Sequence, residues 1–259
     1  VPDDTTLHTT SFGDHGSPVV FCHGLFGQGR NWTQIAKALP DHRVLLVDLP
    51  NHGRSAWTED LDLIEDAHRL ADVLGPEPVT LVGHSMGGKV AMLTALLHPE
   101  RVSRLCVVDV SPVSYRHTSE FAAYIAAMQA IDLTLLERRD DADRQLREAV
   151  PNPTVRGFLL QNLRREDDGW RWQINLATLG EQLAEIGGWP EEGLAGVAPY
   201  DGPVLWIAGA DSAYVLDEYA PAMESLFPRV RRVTIKNAGH WVHSEQPETF
   251  IAVLKRFLT

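Results

Sequence analysis

Val79-Thr80-Leu81-Val82-Gly83-His84-Ser85-Met86-Gly87 is the stretch that decides how this chain is read. Val79 to Val82 is a short run of β-branched and apolar residues that reads as a buried strand. Gly83 to Gly87 then fits the pattern G-x-S-x-G, and a helix is expected from about Met86 to Leu97. A serine between strand and helix needs a sharp, strained turn, and the flanking glycines let the backbone make one. Such a turn lifts the Ser85 hydroxyl clear of the sheet. It also leaves the Met86 N–H at a helix N-terminus, where developing negative charge is stabilised. Ser85 is therefore the candidate nucleophile and Met86 a candidate oxyanion donor.

The same rhythm extends in both directions. Upstream, Val19 to Cys22 and Val44 to Val47 read as strands. Trp32, Ile35, Ala36 and Leu39 share one helical face, and so do Leu63, Ala67, Leu70 and Leu74. Downstream, Leu105 to Val108, Val204 to Ala208 and Val230 to Ile235 are strands. Helices are expected over Asp217 to Leu226 and along Phe250, Val253, Leu254 and Phe257. Short apolar strands alternating with helices predict an α/β fold, a mostly parallel sheet with helices on both faces. The rhythm breaks after Pro112. From there to about Tyr200 only helical patterns are found, including Phe121, Tyr124, Ile125 and Met128, and Val155, Phe158, Leu159 and Asn162. The expected organisation is a core of residues 1–111 and 201–259 with a helical insertion of residues 112–200.

Composition narrows the function classes. The 259 residues carry 35 acidic and 23 basic side chains, a formal charge of -12. A nucleic-acid partner calls for a basic patch or stripe, and none is present. No run approaches the roughly 18 apolar residues of a membrane span. The chain shows no signal segment, and its two cysteines, Cys22 and Cys106, fall inside strand-like runs and read as buried thiols. These features fit a cytoplasmic location. There is no P-loop, no G-x-G-x-x-G after a strand, no C-x-x-C and no H-E-x-x-H, so neither a metal nor a cofactor is expected.

A serine hydroxyl needs an adjacent base, and an imidazole held by an acid supplies it. His240, in Gly239-His240-Trp241 just after the last strand, is singled out from 11 histidines by its place at the carboxyl edge of the sheet. His84 reads as structural and His243 as a surface or helix-start residue. The loop His23-Gly24-Leu25-Phe26-Gly27 offers the second oxyanion donor, Leu25 or alternatively Phe26, with the His23 imidazole bonded to backbone. Two aspartates follow strands in the required chain order, Asp109 and Asp211, and spacing does not choose between them.

These motifs resemble the α/β-hydrolases, and within them the YbfF-type esterases and their mitochondrial relatives. The resemblance runs nearly end to end. It rests on His23-Gly24-Leu25-Phe26-Gly27, Asp48 with Asn51-His52-Gly53-Arg54-Ser55, and Gly83 to Lys89. It continues through Val108 to Val113 and Gly239 to His243, and Asp168-Gly169-Trp170-Arg171-Trp172 in the insertion. It implies a helical lid and esterase or acyl-CoA thioesterase activity on small acyl substrates. It also favours Asp109 as the acid, because relatives carry Asn where this chain has Asp211. Phe26, Phe121, Tyr124, Phe158, Trp172 and Trp241 are then the expected walls of an apolar acyl pocket. Carbon–carbon hydrolysis, a cofactor-free lyase or perhydrolase reaction, and a non-catalytic receptor role are the rival readings on this fold.

Overall fold

In the computed structural model, which describes residues 6–115 and 119–259, the apolar runs become a seven-stranded sheet. Its strands are β1 (Thr9–Phe12), β2 (Ser17–Cys22), β3 (His42–Val47), β4 (Val79–His84), β5 (Val102–Val108), β8 (Val204–Gly209) and β9 (Val230–Ile235). Their order across the sheet is β1-β3-β2-β4-β5-β8-β9. Only β1 runs antiparallel to its neighbour, and the other pairings are parallel. β1 was not foreseen. It is a short edge strand of polar and half-exposed residues, so it lacks the apolar run that marks the others.

Side chains alternate across the sheet and both faces are covered. Val20, Cys22, Leu81, Leu105 and Val107 enter one core with α2 (Leu63–Val73) and α3 (Met86–Leu97). Val19, Phe21, Val82, Cys106 and Val108 enter the other, with Trp32, with Ile35 of α1 (Thr33–Lys37), and with Phe250 and Leu254 near the C-terminus. α2 shows why its sequence starts a helix where it does. The Asp62 carboxylate accepts the Ile64 and Glu65 N–H groups, and Leu63, Ala67, Leu70 and Ala71 form the buried face. α3 is buried from Met86 to Leu96, as a helix running directly behind the turn at Ser85.

Between β5 and β8 lie α4 (Ser119–Gln129), α5 (Arg139–Leu146), α6 (Pro153–Leu160), α7 (Leu176–Glu181) and α8 (Leu183–Gly187). The expectation of helices alone is corrected here. An antiparallel hairpin, β6 (Leu163–Glu166) with β7 (Gly169–Trp172), stands between α6 and α7. Its arms are four residues each and dense in charge, so neither shows a strand's apolar alternation. The signal present was the turn, with Gly169 at φ 136 after Asp168.

The chain is completed by α9 (Ala220–Leu226), α10 (Val242–Glu245) and α11 (Pro247–Leu258). Cys22 and Cys106 are free and buried, and burial raises both thiol pKa values. No helix among the described residues is long and apolar enough to cross a membrane. The parallel order brings the loops after β2, β4, β5, β8 and β9 to one edge. Ser85, Asp109, Asp211 and His240 all lie there.

Candidate active site

Ser85 sits between β4 and α3 at φ 52, ψ -122, a backbone that a non-glycine residue rarely adopts. The surrounding glycines are required by close approach. A Cβ on Gly83 would stand 2.2 Å from the Gly87 carbonyl oxygen, and one on Gly87 2.3 Å from that of His23. A Cβ on Gly24 would stand 2.8 Å from His84 Nδ1 and 3.0 Å from the Ser85 Cβ, so the loop after β2 rests directly on the Ser85 turn. The turn is tied to the sheet by Ser85 N–H, which donates to the Val108 carbonyl at 3.0 Å.

His240 faces Ser85 across the sheet edge, its Nε2 3.0 Å from Ser85 Oγ. Its Nδ1 lies 2.8 Å from Asp109 Oδ2. Asp109 is fully buried at φ 51, and its two oxygens accept from the Gly209 N–H (2.9 Å) and the Ser212 hydroxyl (2.5 Å) as well. A carboxylate can only accept, so the His240 proton belongs on Nδ1 and the lone pair of Nε2 faces the serine. The loop carrying His240 is held by three hydrogen bonds. His84 Nε2 donates to the His240 carbonyl at 2.8 Å, and Glu245 accepts the N–H groups of Gly239 and Trp241 at 2.8 and 3.2 Å. Asp211 takes no part in this geometry. It is exposed, and its backbone N–H donates to Ala238.

Two backbone amides of residues beside Ser85 lack acceptors. Among the described residues neither the Met86 nor the Leu25 N–H has a hydrogen-bond partner, although both residues are buried and line the cavity at Ser85. The Phe26 N–H donates to His52 Nε2 at 3.3 Å, so it is engaged elsewhere. His23 bonds backbone on both sides, to the Gly24 carbonyl and the Leu49 N–H. Three histidines around the site are held neutral by burial. His52 and His243 are pushed down to about 3 and His84 well below its ordinary value, with neighbouring imidazoles adding to the effect. His243 lies at the start of α10, as one reading expected, but corrects the other, since it is not on the surface but buried, stacked on Trp32 at 4.2 Å.

A narrow cavity, partly open to solvent, lies at Ser85. Besides Ser85, Leu25 and Met86 it is walled by Val110, Tyr115, Phe121, Leu183, Ile186, Gly187, Tyr214 and Lys89. Of the expected wall residues only Phe121 belongs to it. Phe26 is buried behind it against Phe121 and Tyr124, whose hydroxyl donates to Glu120. Phe158 and Trp241 pair at 5.8 Å and line a separate surface cleft. Trp172 pairs with Leu163 in the hairpin and packs on the core. Helical periodicity had shown which side chains turn inward, but core and cavity are both inward. Tyr214 and the α8 residues were missed because they come from loops and helix ends without a motif. Among the described residues no cluster of His, Cys, Asp or Glu is arranged to hold a metal ion.

A strained serine after a central strand, facing a histidine and buried aspartate at the carboxyl edge of a parallel sheet, defines the α/β-hydrolase class of architecture. The family model described as alpha/beta hydrolase fold matches residues 17–247, and the chain belongs to that family. It is similar to the mouse (Mus musculus) protein named sn-1-specific diacylglycerol lipase ABHD11, 41% identical over 95% of this chain and 82% of the relative. It is also similar to esterase YbfF of Escherichia coli, 33% identical over 94% of each. Among solved structures, one named marine microorganism esterase superimposes with a TM-score of 0.93 at 34% identity, covering 98% of this chain and 99% of that one.

Proposed function

We infer that this chain is a serine-dependent carboxylic ester hydrolase, with Ser85 as nucleophile, His240 as general base and Asp109 as the acid that orients it. The observation that carries the reading is the unbroken line Ser85 Oγ–His240 Nε2, His240 Nδ1–Asp109 Oδ2. Relatives named esterase and lipase over nearly the whole chain support it.

Ser85 attacks the ester carbonyl while His240 takes its proton. Negative charge on the carbonyl oxygen is received by the Leu25 and Met86 amides, the second of them at the start of α3. The imidazolium formed is stabilised by Asp109, and His240 passes its proton to the leaving alcohol. Water, activated by His240, then cleaves the acyl-enzyme. The apolar walls of the cavity suit the acyl chain of an ester or thioester, and the diacylglycerol named for the mouse relative falls within that class. Residues 112–200 are read as a lid, because Tyr115, Phe121, Leu183, Ile186 and Gly187 from that segment complete the cavity over Ser85.

The test is Ser85→Ala, assayed on p-nitrophenyl acetate and with a fluorophosphonate probe. Turnover is expected to fall by at least ~10³, with covalent labelling lost. Retained turnover in protein free of contaminating esterase refutes the assignment.

A further inference from the structure

Gly24 to Gly27 form a tight turn closed by the Gly27 N–H on the Gly24 carbonyl at 2.9 Å. Phe26 occupies its third position at φ 64, where a type II turn favours glycine. An aromatic side chain gains nothing from that backbone, so surrounding structure must impose it. Relaxing Phe26 to a right-handed conformation would reverse the Leu25–Phe26 peptide, turning over the Leu25 carbonyl and the Phe26 N–H, and would release the turn whose first peptide carries the Leu25 N–H.

Two buried side chains hold the strained residue from both ends. His52 Nε2 accepts the Phe26 N–H, and Asn162 Nδ2 donates to the Phe26 carbonyl at 2.8 Å. Both residues are fully buried. The orientation of each is fixed. A backbone N–H can only donate, so Nε2 of His52 is bare and its Nδ1–H donates to the Pro50 carbonyl at 2.9 Å. Burial pushes His52 down to about 3, so this tautomer persists at any working pH. The Asn162 Oδ1 accepts from Gln28 Nε2 at 2.7 Å, which leaves its amide nitrogen for Phe26. The neighbouring Gln161 Nε2 adds a 3.3 Å bond to the same carbonyl.

We propose that His52 and Asn162 are positioning residues of the oxyanion hole, which clamp Phe26 by its N–H and its carbonyl and so hold the Leu25 amide where it meets the reacting oxygen. The proposal rests on the reading of Ser85 as nucleophile. Asn162 belongs to the segment between β5 and β8, so that segment acts on the chemical step as well as on substrate fit. Its contribution is independent of acyl length, unlike that of Leu183 or Ile186 in the cavity wall.

The experiment compares His52→Phe, His52→Gln and Asn162→Ala with wild type on p-nitrophenyl acetate and butyrate. A trifluoromethyl ketone, whose hemiketal places an oxyanion in the hole, is the inhibitor probe. Removing one oxyanion donor costs roughly 10²–10³ in kcat, and a misplaced donor costs less. His52→Phe and Asn162→Ala are therefore expected to lower kcat by roughly 10- to 100-fold, equally for both esters, with KM within about twofold. The ketone inhibition constant should rise by the same factor, and His52→Gln, whose amide oxygen still accepts, should recover most of the rate. Unchanged kcat, a loss confined to KM, or a loss confined to butyrate overturns the proposal. If Asn162→Ala no longer melts cooperatively, the His52→Phe and His52→Gln pair decides alone. Fluorophosphonate labelling of Ser85 in each variant separates failure of the clamp from failure of the serine reading.

Discussion

Asp109→Asn tests the triad most sharply, because the structure dictates what asparagine would do there. Position 109 has φ 51, a left-handed backbone that Asn tolerates as well as Asp, so the fold should survive. The Gly209 N–H points at Asp109 Oδ1 from 2.9 Å, and a backbone donor cannot turn away. The asparagine carbonyl must therefore take the Gly209 side, and its NH₂ must take the side of His240 and Ser212. Ser212 can rotate to accept. His240 Nδ1 can accept only by moving its proton to Nε2, the atom that faces Ser85. The base then carries its proton on the wrong nitrogen. Restoring the productive tautomer would face the NH₂ against the Gly209 N–H, leaving buried donors unpaired at about 1–3 kcal/mol each. Loss of the charged acceptor for the imidazolium adds about 1 kcal/mol or more, the gap between ionic and neutral hydrogen bonds. Together these raise the barrier by roughly 3–6 kcal/mol, or about 10²- to 10⁴-fold in kcat.

The assay is kcat and KM on p-nitrophenyl acetate for Asp109→Asn beside Asp211→Asn. The Asp211 carboxylate is exposed and takes no part in the hydrogen-bond chain, so its variant should stay within about twofold of wild type. A crippled Asp211→Asn with a mild Asp109→Asn refutes the reasoning. So does a double variant that alone is dead, since the two acids would then be interchangeable.

Other consequences concern the cavity and stability. Lys89 is buried among the cavity walls, and its Nζ donates to the Gly187 and Gly188 carbonyls at 2.6 and 2.5 Å while burial pushes it down to about 7. Lys89→Met should leave acetate turnover within about threefold but alter the acyl-length profile from acetate to octanoate, because it frees the end of α8; a uniform loss across chain lengths counts against this. His52, His84 and His243 have depressed pKa values in the fold, so stability present above the unfolded value of ~6.5 is lost as pH falls, while Asp66, raised to about 7 by burial, works in the opposite direction and cancels one of them. Burial lowers His23 as well, so the histidines outnumber Asp66 and the net effect weakens the fold as pH falls from 6 toward 4; urea midpoints that stay constant from pH 7 to 5 would exclude it.

How much of this was legible in the sequence depended on whether a feature is local. Ser85 was legible because strand, glycines and helix start are contiguous, and the backbone strain they permit is a property of five residues. His240 was legible from its place after the last strand. Which aspartate it meets was not legible from spacing, and only the resemblance favoured Asp109. Asp109 and Asp211 end adjacent strands, and the choice is made by the φ of 51 that turns Asp109 inward beneath the Gly209 amide. That is a fact about two strands at once. The same holds for His52 and Asn162. His52 stood in a recognisable Asn-His-Gly marker and Asn162 on a helical face, yet nothing in either segment points to Phe26. They meet only because the loop after β3 and the turn after α6 close on the loop after β2 from opposite sides. The marker around His52 therefore has a physical reason. Asn51 at φ 65 turns the chain, its carbonyl accepts from the Asn175 N–H, and the His52 imidazole is left facing the Phe26 N–H. Catalytic groups on such a sheet are announced by their own segments, whereas the residues that aim them are defined by contact.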